Sequence, residues 1–91
     1  MPIYQRGVLM TIRHLNVFIK VADQGSMTGA AKELFIAQPS VSQTIKELED
    51  HYNIKLFERL SKKLYITPEG RELLSYARYI VSLFEEMNKK M

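Results

Sequence analysis

The sequence predicts a small, mainly α-helical domain with four helices and one two-stranded hairpin. Apolar residues recur at three- and four-residue spacing over most of the chain, which is the period of amphipathic helices. A polar, basic segment at residues 55–67 interrupts this period and is bounded by two short β-prone runs. Two prolines, Pro39 and Pro68, stand where helices would begin, at the one helical position that tolerates proline well.

Length and composition fit one ordinary domain. The chain has 91 residues, of which 46% are hydrophobic and 25% charged, so it can bury one modest core. It contains no cysteine, which excludes disulfides and thiolate metal sites. No apolar run approaches the roughly 20 residues of a membrane span. These features do not fix the compartment, but a reducing cytoplasm fits them, and we expect a cytoplasmic protein without a membrane partner or cofactor. The net charge of +3 alone indicates little about nucleic acid.

The chain divides into three segments. Residues 1–9 have no apolar period and precede a second methionine, Met10, so they are interpreted as a flexible leader; an additional strand or arm is the alternative. Residues 10–67 form the predicted domain. Residues 68–91 form one long helix.

The first two helices have recognisable ends. Thr11 can cap the first helix, and Gly25 can end it in a left-handed conformation. Ser26 can cap the second. The apolar residues of the first stripe are Ile12, Leu15, Phe18, Ile19 and Ala22, and those of the second helix are Ala30, Ala31, Leu34 and Phe35.

The third helix is predicted to begin at Pro39, with Gln38 near its cap, after a turn of only about three residues. Its buried stripe is Val41, Ile45, Leu48 and Tyr52. The opposite side is polar and comprises Pro39, Gln43, Lys46 and Asp50, flanked by Ser40 and Ser42. Small polar residues thus occupy the exposed side of the helix at its N-terminal end.

The hairpin and the last helix follow. Leu56-Phe57 and residues 64–67 predict two strands around a charged tip. Thr67 then caps the last helix, Pro68 takes its first position, and Glu69 suits the helix dipole. A heptad-type apolar seam continues to the last residue through Leu73, Ala77, Ile80, Phe84, Met87 and Met91. This seam either pairs two chains or packs within its own domain.

Two helices joined by a tight turn, the second with an exposed polar start, indicate a helix-turn-helix, and the hairpin would be its wing. Glutamine and serine at such a start can read base edges, although both are also common capping and solvent-facing residues. The hairpin carries Lys55, Arg59, Lys62 and Lys63, which would contact phosphates or the minor groove unless they form a solvated loop.

The sequence lacks the residue patterns that an enzyme needs. The chain has two histidines, His14 and His51, and neither has the spacing of a catalytic or metal-binding constellation. His14 is expected on the exposed side of the first helix. Glu47, Glu49 and Asp50 are interpreted as a solvated acidic patch. We therefore expect no enzymatic activity and no metal site.

The sequence closely resembles the N-terminal domain of LysR-type transcriptional regulators from Met10 to about Met91. The most specific matching residues are Phe18, Gly25, Ser26, Ala30, Ala31, Leu34, Gln38, Pro39, Ser42, Ile45, Leu48, Glu49, Leu56, Phe57, Arg59, Thr67 and Gly70. The resemblance implies a winged helix-turn-helix followed by a long linker helix that dimerises. The effector-binding domain of such regulators is absent from these residues, so we expect a DNA-binding fragment or isolated domain, and a small-molecule effector only if a C-terminal domain exists in the full-length protein.

The resemblance also implies the functional residues. Gln38, Pro39, Ser42 and Gln43 would face the groove, with Arg59 and Lys62 on the wing. The full predicted DNA-binding set is Ser26, Thr28, Lys32, Gln38, Pro39, Ser40, Ser42, Gln43, Lys46, Arg59, Lys62 and Lys63. The predicted dimerisation set is Leu73, Ala77, Ile80, Val81, Phe84 and Met87.

Members of the family usually carry arginine or a Gln-like polar residue where Gln43 stands; glutamine instead of arginine would lower phosphate or guanine contact, which leads to the hypothesis that it favours adenine. Three positions depart from the family pattern. Ala37 stands where serine is frequent and so lacks a hydroxyl that could meet a phosphate. Asn53 replaces a frequent glycine but tolerates the left-handed conformation, and Glu69 replaces a frequent alanine at little cost.

The predicted function is therefore sequence-specific binding of double-stranded DNA by a homodimer that regulates transcription. The rival interpretation is a protein-interaction module whose last helix forms a coiled coil. Salt dependence discriminates the two, because phosphate contacts weaken steeply as salt rises.

Overall fold

A computed structural model describes residues 10–91, and the predicted leader lies outside this range. The elements follow in the predicted order: α1 Ile12–Gln24, α2 Met27–Leu34, α3 Gln38–Tyr52, β1 Phe57–Leu60, β2 Lys63–Ile66 and α4 Pro68–Lys90. The predicted fold class, three helices with a two-stranded wing and a long last helix, is confirmed.

The α1–α2 junction forms as its residue types predict. Gly25 adopts a left-handed conformation, with φ 64°, and donates its N–H to the Val21 carbonyl at 2.8 Å. The Ser26 hydroxyl oxygen then accepts the Gly29 N–H at 2.9 Å, which caps α2. These two residues together turn the chain sharply, so that α1 and α2 can pack on one another.

The prediction that Phe35 belongs to the apolar stripe of the second helix is wrong. Helix α2 ends at Leu34, and Phe35 adopts a left-handed conformation with φ 58° instead of continuing the helix. Its side chain is consequently 94% exposed rather than part of the buried stripe. Ile36 and Ala37 complete the short turn into α3.

One core joins all four helices and the base of the wing. The buried apolar side chains are Leu15, Val17, Phe18, Val21, Ala30, Ala31, Val41, Ile45, Leu48, Leu56, Phe57, Ala77 and Val81. The rings of Phe18 and Phe57 meet edge to face, with centroids 5.6 Å apart, which attaches the wing to α1. This core holds α3 rigidly by one side and leaves its other side free.

Helix α3 begins at Gln38, one residue before the predicted start, and ends at Tyr52. Asn53 follows as its C-cap and is left-handed, with φ 57°, which confirms that it can replace the frequent glycine. Tyr52 was predicted in the buried stripe but is 40% exposed. Tyr52 is the last residue of the helix, and at this position the helix extends beyond the edge of the core.

The wing is shorter at its tip than predicted. Strands β1 and β2 are antiparallel and pair Phe57 with Ile66 and Leu60 with Lys63, so only Ser61 and Lys62 form the turn. Both turn residues have positive φ, 50° and 68°, as a type I′ turn requires. Neither is the glycine or asparagine that usually announces such a turn, which is why the sequence indicated a longer loop.

Thr67 connects the wing to α4. Its hydroxyl oxygen accepts the Gly70 N–H at 2.9 Å, as predicted for a cap, and its hydroxyl donates to the Lys55 carbonyl at 2.6 Å. Glycine is needed at position 70, because a Cβ there would lie 2.4 Å from the Leu56 carbonyl oxygen. The start of α4 is thereby fixed against the segment that precedes β1.

Helix α4 packs on α1 over only part of its length. Ala77 and Val81 are buried in the chain's own core, so their assignment to the dimerisation set needs correction. An ion pair between Arg78 and Asp23, 2.7 Å from Nη2 to Oδ1, joins the same two helices at the surface. From residue 82 onward no α4 residue is buried, because the helix extends past the end of the core.

Candidate nucleic-acid interface

The side of α3 opposite the core presents short polar side chains. Gln38, Pro39, Ser40 and Gln43 are exposed at its first two turns, and Ser42 is half-buried. Lys46 follows one turn later and forms a weak surface pair with Asp50, 3.6 Å from Nζ to Oδ2. The beginning of the helix is therefore open to close approach by a partner.

The N-terminus of α3 has no side-chain cap, because its capping residue is Ala37. The N–H groups of Ser40 and Val41 donate to the Ala37 carbonyl, at 3.0 and 3.4 Å. Pro39 has no N–H to satisfy. Among residues 10–91 no side chain caps this helix end, so its positive dipole can attract an external anion.

A cleft of about 370 Å³ lies between α3 and the wing, and we call it the basic cleft. Its lining includes the cations Lys46, Lys55 and Arg59 together with the Ser42 hydroxyl. A carboxylate, Glu49, also lines it but is engaged by the chain: its Oε2 accepts the Leu56 N–H at 2.8 Å. Three cations in the lining outnumber this one carboxylate, and the excess of positive charge favours a phosphate group beside α3.

A second cleft, of about 330 Å³, lies on the other side of α3, and we call it the amide cleft. It is lined by Arg13, Pro39, Ser40, Gln43, Thr44 and Glu47. Thr44 is buried and donates its hydroxyl to the Ser40 carbonyl at 2.9 Å, so it contributes little polarity to the cleft. The charged and amide side chains of Arg13, Gln43 and Glu47 define its chemistry.

Three hydrogen bonds connect the start of α1 to Gln43. The Thr11 N–H donates to His14 Nδ1 at 3.1 Å, which requires this nitrogen to be unprotonated. In the neutral ring, His14 Nε2 then carries the hydrogen and donates to Glu47 Oε1 at 2.8 Å. Glu47 Oε2 accepts from Gln43 Nε2 at 3.2 Å. A side chain that faces the exposed side of α3 is thus tethered to another helix.

The same contacts keep Glu47 ionised. The hydrogen bond from His14, and after it the one from Gln43, lower the pKa of Glu47 below its ordinary value of 4.5. Arg13, which also lines the amide cleft, adds a smaller attraction of the same sign. A fixed negative charge therefore lies at the edge of the exposed side of α3, in the same cleft as Arg13.

Two expectations about these residues are corrected. His14 is 8% exposed rather than solvated, because both ring nitrogens have partners within the chain. The acidic patch is not simply solvated either: Glu47 binds His14, Glu49 binds the Leu56 N–H, and Asp50 pairs with Lys46. Sequence spacing could not reveal a contact between residues 33 positions apart.

The remaining predicted DNA-binding residues lie around this surface. Ser26 is half-buried and uses its oxygen as a cap, whereas Thr28 and Lys32 are exposed on α2. Arg59 lines the basic cleft, while Lys62 and Lys63 are exposed at the wing tip and line neither cleft. The structure adds Lys55 and Arg13, which the predicted set omits. Lys55 already stands out in the sequence as part of the basic hairpin.

Among residues 10–91 there is no group of three or more side chains that could hold a metal ion. In the same residues, no helix has both the length and the apolar content needed to cross a membrane.

Helix α2, the short turn, α3 and the hairpin together define a winged helix-turn-helix domain. Residues 12–71 match the family described as "Bacterial regulatory helix-turn-helix protein, lysR family". The chain belongs to this family, as the resemblance in its sequence indicated.

Solved structures agree with this assignment. The BenM_DBD/benA site 1 DNA complex is 40% identical, with a TM-score of 0.84 over 89% of this chain and 91% of that chain. The CbnR_DBD-DNA complex is 33% identical, with the same TM-score over 89% of this chain and 93% of that chain. Both proteins were solved in complex with DNA.

A curated relative is the RuBisCO operon transcriptional regulator of Allochromatium vinosum. It is 42% identical over 80 residues, which are 88% of this chain. The aligned part makes up only 26% of the relative, so the chain spans about a quarter of that regulator's length.

Proposed function

We propose that this domain binds double-stranded DNA sequence-specifically, as a homodimer, and that the protein containing it regulates transcription. The observation that carries the proposal is an uncapped, polar face of α3 beside a basic cleft, in a fold that two solved DNA complexes match over 89% of the chain. Such a domain acts by binding and carries out no reaction.

Base reading falls to the start of α3. Short side chains there let the helix backbone approach the floor of the major groove. Gln43 can pair with adenine through its amide, and Ser42 can donate to or accept from several base edges. These contacts depend on which bases are present, so they supply sequence preference.

Phosphate groups bind to the surfaces that flank the start of α3. The basic cleft offers Lys46, Lys55 and Arg59, and the wing tip adds Lys62 and Lys63. The free N-terminus of α3 favours a further phosphate oxygen. These contacts are the same on every duplex, so they supply affinity and orientation.

A salt titration on matched variants tests the DNA proposal. A duplex is first selected from a random pool, and its affinity is then measured at several salt concentrations for wild type, Arg59→Ala and Lys89→Ala. Both variants lose one positive charge, but Lys89 lies at the last turn of α4. Arg59→Ala should reduce the log-log salt slope by about 2, one unit for each protomer of the dimer, whereas Lys89→Ala should leave it unchanged.

Two results would refute the proposal. One is the absence of binding to any selected duplex. The other is binding that does not respond to salt, which would favour the rival protein-interaction module.

The homodimer is proposed from the second half of α4. Ile80, Phe84 and Met87 are 40%, 39% and 49% exposed there, with Tyr76, Tyr79 and Leu83 beside them. Large apolar side chains grouped on one exposed helix surface are typical of a protein interface. Two copies joined in this way would place two α3 helices on two half-sites of DNA.

Sedimentation equilibrium tests the dimer. The double variant Ile80→Asn, Phe84→Asn should be a monomer, while Ser82→Asn, an exposed position on the other side of α4, should remain dimeric. A dimer that survives the double substitution would place the interface elsewhere.

The proposal for the whole protein is broader. A protein of this family would work in the cytoplasm, and any small-molecule effector would bind a C-terminal domain of the full-length protein. The DNA-binding domain would then transmit the response through α4.

A further inference from the structure

The amide cleft contains a side chain whose role the proposed DNA binding does not explain. Glu47 places a carboxylate beside the exposed start of α3, where a phosphate-rich partner would approach. Its negative charge opposes nonspecific binding to any duplex. An unfavourable charge at such a position needs a compensating function.

The geometry of Glu47 shows what it does within the chain. One carboxylate oxygen is held by His14 Nε2 at 2.8 Å, and the other accepts from Gln43 Nε2 at 3.2 Å. The carboxylate can only accept hydrogen bonds, so the Gln43 amide must turn its nitrogen, not its oxygen, toward Glu47. Gln43 is thereby oriented before any partner arrives.

We propose that Glu47 is a positioning residue that sets the base preference of Gln43. The inference rests on the proposed DNA binding. One amide hydrogen of Gln43 is committed to Glu47, which leaves Oε1 and the second hydrogen as one acceptor beside one donor. Adenine offers the complementary pair, an N6 donor beside the N7 acceptor, whereas guanine offers two acceptors.

His14 makes this orientation persistent. Its Nδ1 is fixed by the Thr11 N–H at the start of α1, so its Nε2 hydrogen points steadily at Glu47. The His14 side chain is only 11% exposed, so the surrounding residues restrict its movement toward solvent. Glu47, which is 27% exposed, is therefore held from a second helix rather than left as a free side chain.

A substitution cycle tests the role of Glu47. Affinities of wild type, Gln43→Ala, Glu47→Ala and the double variant are measured on the selected duplex and on duplexes changed at one base pair each. Gln43→Ala should lower discrimination at one base pair by roughly 5- to 150-fold. Glu47→Ala should lower discrimination at that same base pair by at least about threefold, and should add nothing once Gln43 is alanine.

A second readout separates positioning from damage to the fold. Removal of the carboxylate should raise affinity for an unrelated duplex, since a repulsive charge is lost, while discrimination falls. Misfolding would lower both. Glu58→Ala is the matched control: it removes an exposed carboxylate from strand β1 and should raise nonspecific affinity without changing the base pair read by Gln43.

Glu47→Gln provides an isosteric variant, in which an amide replaces the carboxylate. If His14 still donates to the oxygen of the introduced amide, the nitrogen of that amide faces Gln43 and draws its Oε1 inward. The preference for adenine should then fall.

Three outcomes overturn the inference. In the first, Glu47→Ala leaves discrimination unchanged. In the second, it alters discrimination at a different base pair, which would make Glu47 a direct reader. In the third, Gln43→Ala itself alters discrimination at no base pair. All three are distinguishable from failure of the proposed function, in which wild type binds no duplex or binds without responding to salt.

Discussion

The two sides of α3 obey different rules. On one side Val41, Ile45 and Leu48 are almost fully buried, and each has its neighbours within the chain. On the other side Pro39, Ser40 and Gln43 are exposed. The buried side specifies where the helix lies, whereas the exposed side can vary with the partner without disturbing the fold.

Glu47 lies at the boundary between the two sides. It is tied inward to His14 and outward to Gln43, so it connects the packed interior to the exposed face. The contrast therefore concerns more than burial. Glu47 links the position of Gln43 on the exposed side to His14 in the packed interior.

The largest expected effect concerns the buried side. Leu48→Ala removes a fully buried side chain from the centre of the core and should lower the free energy of unfolding by about 2–5 kcal/mol. Ser40→Ala changes an exposed side chain one helix turn or more away and should stay within about 0.5 kcal/mol of wild type. Urea denaturation followed by circular dichroism measures both.

Comparable losses of the free energy of unfolding in Leu48→Ala and Ser40→Ala would contradict the division of α3 into a buried side that stabilises the fold and an exposed side that does not. They would mean that the exposed side of α3 also contributes to stability, and that a partner is not needed to explain its residues.

The buried side was also the easier one to predict. Apolar periodicity identified Val41, Ile45 and Leu48, because burial in a helix repeats with the geometry of the helix itself. The caps at Ser26 and Thr67 followed from residue type, since a short oxygen-bearing side chain satisfies N–H groups that every helix leaves free. Local chemistry was sufficient in each of these cases.

Contacts that depend on tertiary placement were not predictable. His14 pairs with a carboxylate in another helix, and no local pattern indicates which one. In α4, Ala77 and Val81 are buried in the domain while Ile80 and Phe84 are 40% and 39% exposed, although all four are apolar. A seam of apolar residues shows that a helix is covered but does not show which chain covers it.

A smaller effect is expected at the start of α3. Ala37→Ser introduces a hydroxyl oxygen that can share the Ser40 N–H, which already donates to the Ala37 carbonyl, and should raise the free energy of unfolding by about 0.5–1 kcal/mol. The backbone of Ala37 is already extended, with φ −73° and ψ 144°, so the cap requires no rearrangement. Thermal denaturation measures the gain.

The isosteric pair Ala37→Thr and Ala37→Val controls for side-chain size. Only threonine brings an acceptor, so it should be the more stable of the two. Equal stability would show that the N–H groups at the start of α3 gain nothing from a partner, and would weaken the argument that they attract a phosphate.

The smallest expected effect concerns the boundary residue and depends on pH. The pKa of Glu47 is lower in the folded chain than its ordinary value of 4.5, because His14, Gln43 and Arg13 favour the carboxylate. The resulting stabilisation is complete above that ordinary value and is lost as the pH falls through the lower folded pKa. The free energy of unfolding of wild type should exceed that of Glu47→Gln by about 1 kcal/mol or less near pH 6, and this difference should narrow toward pH 3.

Urea denaturation at several pH values measures this gap, with Glu85→Gln on the exposed part of α4 as the control for removal of one carboxylate. A gap that persists unchanged to pH 3 would mean that ionisation of Glu47 does not strengthen its contacts with His14 and Gln43. Those contacts would then be equally satisfied by a neutral side chain, and the charge beside α3 would have to be explained by the partner alone.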